Sequence, residues 1–88
     1  MARFEVLDHD LATMGGEAKA DTLCEMGLRY ATGRDAPIDL IAAHKWFNIA
    51  AIKGSDRAAE LRGDVAQMMT KPQLVMALRA AREWMTVH

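Results

Sequence analysis

A single cysteine, Cys24, rules out an internal disulfide, so the chain is expected to work in a reducing, cytoplasmic compartment. The first ten residues, MARFEVLDHD, hold no apolar run of the kind a secretory signal needs. No segment approaches the roughly 18 consecutive apolar residues of a membrane helix, so neither a signal peptide nor a membrane span is expected. Charge of one sign is equally scarce, because 11 Lys and Arg against 12 Asp and Glu leave a formal net charge of −1. Arg29, Arg34, Arg57, Arg62, Arg79 and Arg82 are interspersed with acids. A surface that tracks phosphates needs them clustered, which argues against a nucleic-acid partner.

The constellations that carry catalysis are missing as well. There is no glycine-rich phosphate loop, no Cys-x-x-Cys pair, no Gly-x-Ser-x-Gly elbow and no His-Glu-x-x-His. Ser55, the sole serine, follows Gly54, where a turn or N-cap role for it or for Asp56 explains it. Cys24 lies within a helical pattern with no histidine beside it, which suits a small core or groove residue rather than a nucleophile. Asp8-His9-Asp10 offers three ligating side chains, but adjacent residues rarely aim at one ion, and His44 and His88 stand at no metal-site spacing from His9. The expectation is a non-enzyme without metal or cofactor.

What the chain does contain is helical patterning. With 51% hydrophobic and 26% charged residues it falls in the range of one globular domain. A domain of this size buries only about 60–65% of its unfolded surface, so its stability is expected to be modest, on the order of 5–8 kcal/mol. Leu23, Met26, Gly27 and Tyr30 recur at spacings of three and four and form one helical stripe. Gly27 interrupts that stripe at a cost of about 1 kcal/mol relative to alanine, which implies close approach of another backbone as compensation. Gly33 then ends the helix, and Pro37 keeps Ala36 out of the helical region. Asp39 opens a second helix as its N-cap. Leu40, Ala43, Phe47, Ala50 and Ala51 form its stripe, widened by Ile41, Trp46 and Ile49, until Gly54 closes it. A helix apolar over more than half its circumference must be covered on two sides.

The series Met26-Gly27, Tyr30, Gly33, Pro37, Asp39, Ala43, Trp46-Phe47, Ala50-Ala51 and Gly54 resembles the Sel-one-like repeat, a tetratricopeptide-related helix–turn–helix unit. The match covers about one unit, from Ala18 to Gly54, with Met26 where leucine is usual and Ala36 where valine is usual. The resemblance implies an all-α fold of two antiparallel helix–turn–helix pairs forming a short right-handed α-α superhelix. It also implies an adaptor or scaffold that binds other proteins and has no catalytic residues. A small regulatory subunit of an enzyme complex is the alternative function.

A second, degenerate unit follows over residues 55–88. Ala58, Leu61, Val65 and Met68-Met69 recur at three and four, and Gly63 lies 36 residues after Gly27. Ala80-Ala81-Arg82-Glu83-Trp84-Met85 echoes Ala42-Ala43-His44-Lys45-Trp46-Phe47 at an offset of 38. Thr70-Lys71-Pro72-Gln73 fits a capping box that starts a fourth helix near Lys71. Its inner stripe is Leu74, Ala77-Leu78, Ala81 and Trp84-Met85, and it reads as a terminal cap with one face to water. Trp46 and Trp84 are expected to pack in the core, with Trp46 as its main anchor. Met68, Met69, Met76 and Met85 read as gap-fillers rather than a plastic groove.

Before these units, residues 1–17 read as a mostly irregular arm in which Asp10 to Met14 makes one helical turn and Gly15-Gly16 breaks it. Residues 18–88 then form the single repeat domain, with its first unit over 18–54. Two units are fewer than an independently stable array needs. That leaves two covers open: the arm, or a second copy in a homodimer.

In helix-pair repeats the first helices of successive units line a groove. With Leu23, Met26, Gly27 and Tyr30 facing inward, Asp21, Cys24, Glu25, Leu28 and Ala31 are left to its floor, and the 36-residue offset adds Arg57, Glu60, Asp64 and Gln67. This candidate protein-binding set mixes charges around a small apolar centre and suits a peptide or helix carrying basic groups.

Overall fold

In the computed structural model, residues 10–87 are described, with side chains from Lys19 onward. Four helices follow one another: α1 (Asp10–Thr32), α2 (Leu40–Ile52), α3 (Asp56–Ala66) and α4 (Lys71–Val87). No strand occurs among the described residues, and the fold is all-α.

Each boundary has a local chemical cause. Gly33 takes a left-handed φ of 76° and ends α1, its amide and that of Arg34 both donating to the Arg29 carbonyl at 2.9 and 3.1 Å. Asp35, at φ 66°, adds a second left-handed residue, a conformation short polar side chains tolerate. The Asp39 amide donates back to the Tyr30 carbonyl at 3.0 Å, fastening the hinge to α1. Asp39 Oδ1 accepts the Ala42 amide at 3.0 Å and caps α2. Gly54, at φ 118°, ends α2, and Ser55 Oγ caps α3 by accepting the Ala58 amide at 3.0 Å. The capping box at α4 is reciprocal: the Gln73 amide donates to Thr70 Oγ1 at 3.3 Å, and the Thr70 amide to Gln73 Oε1 at 2.9 Å.

The expected break at Gly15-Gly16 does not occur, because α1 begins at Asp10 and runs through both glycines for 23 residues. Two glycines cost about 1 kcal/mol each relative to alanine. That is too little to end a helix when Leu11, Ala12 and Met14 precede them and Ala18, Lys19 and Ala20 follow. Residues 1–9 of the expected arm, with Phe4, Val6 and Leu7, lie outside the described residues.

The packing is centred on α2, which contacts α1, α3 and α4, while α1 touches α3 lightly and α3 and α4 share no extensive interface. The two helix pairs are therefore unequal, since α4 leans on α2 more than on its own partner. Phe47 and Ile49 of α2 are fully enclosed, and Ala43, Ala50, Ala58 and Ala77 supply small surfaces with no exposure at all. At Gly27 the expected close contact is made by a side chain rather than by another backbone: a Cβ would stand 2.5 Å from Cδ1 and Cε1 of the Phe47 ring. Gly63 does not repeat this role. It is exposed, and a Cβ there would meet nothing within 4 Å.

Trp46 is not the main anchor of the core; Phe47 is. Trp46 is half-buried and meets the edge of Trp84 at 5.6 Å between ring centroids and 78° between planes. Lys45 Nζ lies 4.3 Å from the Trp46 centroid and Lys19 Nζ 5.9 Å from that of Trp84, so both indoles stand where packing meets solvent. Nor is α4 a polar cap: Val75, Met76, Leu78 and Val87 are between 46% and 74% exposed. Of the four methionines, Met69 and Met85 do fill gaps against the core, whereas Met68 and Met76 face outward.

Two substitution pairs check this packing in chemical unfolding. Gly27→Ala is expected to destabilise by about 1–3 kcal/mol, because the enclosed Phe47 ring has nowhere to move. Gly63→Ala should stabilise by up to about 1 kcal/mol through helix propensity alone. Equal signs for the two would overturn the crossing. Phe47→Ala should cost about 3–5 kcal/mol, and Trp46→Ala clearly less. A double-mutant cycle between Trp46 and Trp84 should yield a coupling of about 0.5–1.5 kcal/mol.

Candidate interaction surfaces

The face formed by α1 and α3 carries the residues singled out by subtraction. Asp21, Glu25, Arg57, Glu60, Asp64 and Gln67 are all exposed, and Leu28 is half-buried against the core. Glu25 joins the helices: Oε2 lies 3.7 Å from Arg57 Nη1 on α3, while Oε1 lies 3.5 Å from Arg34 Nη2 in the hinge. These groups are more than half exposed, so the pairs orient side chains rather than hold the fold. Cys24 does not belong to this floor. It is 3% exposed and packs in the core, since its position completes the stripe of Ala20, Gly27 and Ala31 that turns toward the neighbouring helices.

Two cavities lie elsewhere. One, of about 500 Å³, runs between α2 and α4 and is lined by Asn48, Ile52, Leu78, Ala81, Arg82, Met85 and Thr86. Its apolar walls include Ile52, 57% exposed, and Leu78, 46% exposed. The other, of about 360 Å³, sits at the hinge between Tyr30, Pro37, Ile38, Leu40 and Gln73. Helical periodicity did not reveal the first groove, because it treats Leu78 as part of the inner stripe and Ile52 as the last turn of a buried helix. The available signal is Val75, one turn before Leu78 and outside that stripe, where a cap should be polar.

One polar side chain is enclosed on α2. His44 is 4% exposed, and its Nδ1 has no hydrogen-bond partner among the described residues; leaving a buried polar atom unpaired costs on the order of 1–3 kcal/mol. Burial disfavours the imidazolium, and the positive charge of Arg62 adds to this, so its pKa lies below the usual 6.5. Arg62 itself donates from Nη1 to Asn48 Oδ1 at 2.7 Å, tying α3 to α2. His44 is thus a neutral structural residue near neutral pH.

Among the described residues no three His, Cys, Asp or Glu side chains come together as a metal site would require, and Asp8 and His9 lie outside them. No helix among the described residues is long and apolar enough to cross a membrane. In comparisons with known proteins, the chain matches no family model, no curated protein and no solved structure.

The His44 environment has a measurable consequence. Well above pH 6.5 neither the folded nor the unfolded chain protonates it, and its contribution is constant. Below pH 6.5 the unfolded chain binds a proton that the native site refuses, so unfolding free energy should fall as pH drops until the lower native pKa is passed. Urea titrations over this range should show the decline in wild type and a flatter profile for His44→Leu. Identical slopes would mean that His44 is not the group responsible.

Proposed function

We propose that this chain is a non-catalytic protein-interaction module of the Sel-one-like kind, binding a protein or peptide partner through the α1–α3 face. Several features support the family likeness. Gly27 admits Phe47, Gly33 is left-handed, and Asp39 caps the second helix, so the residues that carry the resemblance have physical jobs. The observation that carries the functional reading is the Glu25–Arg57 contact across α1 and α3, which joins the charged residues of both helices into one exposed face. Asp21, Glu25, Glu60 and Asp64 outnumber Arg57 there, and the excess of carboxylates favours a partner with basic groups.

The test compares the wild-type chain with Glu60→Lys/Asp64→Lys as baits in the same extract. Both positions are exposed and neither makes an ion pair among the described residues, so the variant should melt like wild type. It should lose the partner that the wild type retains, and a partner recovered at fixed stoichiometry with one enzyme would identify the module as a regulatory subunit. Retention of the same partner by a folded variant would eliminate the α1–α3 face as the binding site.

A further inference from the structure

The groove between α2 and α4 is a second surface, made of residues that the α1–α3 reading does not use. Its floor and walls are Ile52, Leu78, Ala81 and Met85, and its only charged lining residue is Arg82. Arg82 is exposed and its guanidinium makes no ion pair among the described residues. On α4 the stripe of Leu78, Arg82 and Met85 extends back one turn to Val75, which is about half exposed, whereas Met76 projects from another side of the helix. From Val75 to Met85 is eleven residues, or roughly 15 Å of helix. It is longer than a small ligand covers and matches about three turns of a docked helix.

Charge narrows the occupant further. Together α2 and α4 carry Lys45, Lys71, Arg79 and Arg82 against Glu83 alone, with His44 held neutral. A second copy is a poor fit on this ground: two α4 faces would oppose Arg79 and Arg82 to each other. The acidic α1–α3 face would offer complementary charge, but none of the large exposed apolar residues lies on α1 or α3 among the described residues. What fits is a helix that brings both features at once. We infer that the α2–α4 groove docks an acidic amphipathic helix of a partner protein, with aliphatic side chains at i, i+3, i+4 and i+7 seated on Ile52, Leu78 and Met85, and a flanking carboxylate on Arg82.

A fluorescein-labelled peptide of about sixteen residues, with leucines at that spacing and glutamates beside them, provides the probe. Fluorescence anisotropy with the full chain should give saturable binding that weakens as salt is raised. Leu78→Asp should weaken it by about tenfold or more, and Arg82→Glu should weaken it and flatten the salt dependence. Both side chains are exposed, so thermal melts should confirm that both variants fold. A peptide with lysine in place of each glutamate should not bind.

Four results would overturn the inference. The first is no saturable binding by wild type, and the second is wild-type affinity in both variants. The third is a dimer in light scattering that Leu78→Asp dissociates, which would assign the groove to a second copy. The fourth is binding that appears only in Phe4→Asp/Leu7→Asp, which would assign it to residues 1–9 of the chain itself.

Discussion

The fold depends on the absence of one carbon atom. At Gly27 the α1 backbone comes so near the Phe47 ring that a Cβ would overlap it at 2.5 Å, and Phe47 is fully enclosed as a result. In a chain of 88 residues the hydrophobic core is small, and close approach of two helices brings more atoms into contact than larger side chains at the crossing could. The glycine weakens α1 as a helix in isolation. Its return is the burial of Leu23, Cys24 and Ala43 around the same crossing. The secondary contacts between helices, Lys19 with Trp84 and Glu25 with Arg57, depend on α1 lying this close.

From that crossing α2 acquires its central position. It has apolar residues on every side, and α1, α3 and α4 each cover part of it. Its few polar side chains are accommodated individually: Asn48 accepts from Arg62 of α3, Lys45 lies over the Trp46 ring, and His44 is buried as the neutral base. The helix ends need no such compromise. Asp39, Ser55 and Thr70 each satisfy first-turn amides with their own side chains, so the short connections are fixed locally and do not rely on the core.

This difference explains what could be read from the sequence. Caps and terminators involve residues three or four apart, and Gly33, Asp39, Gly54 and the Thr70–Gln73 box all perform the roles their positions suggest. The same reading places the Asp21, Glu25, Glu60 and Asp64 side chains outward, as found, because helical periodicity decides which way a side chain points. It fails where the answer depends on what lies across the helix. Trp46 and Phe47 are adjacent on one apolar surface, and only the position of α1 decides which is enclosed. Gly27 and Gly63 share a repeat offset, yet one meets a ring and the other open space. Subtraction leaves Cys24 to the groove, whereas the stripe it shares with Ala20 and Gly27 turns it into the core.

The unequal helix pairs also account for the α2–α4 surface. Had α4 packed fully against α3, its contacts would be divided between two neighbours and its apolar residues would be enclosed on both sides. Because it leans on α2, Ala77 and Ala81 sit at the interface while Leu78, one position from Ala77 and one turn from Ala81, falls at its margin. Val75 and Met76 then lie wholly outside it. Exposing aliphatic side chains forgoes about 25 cal/mol for each Å² left in water, and a polar residue at any of these positions would suit solvent better. Single exposed apolar residues are ordinary on a small protein, and it is the alignment of Val75, Leu78 and Met85 on one stripe beside the groove, rather than their number, from which the docking proposal starts.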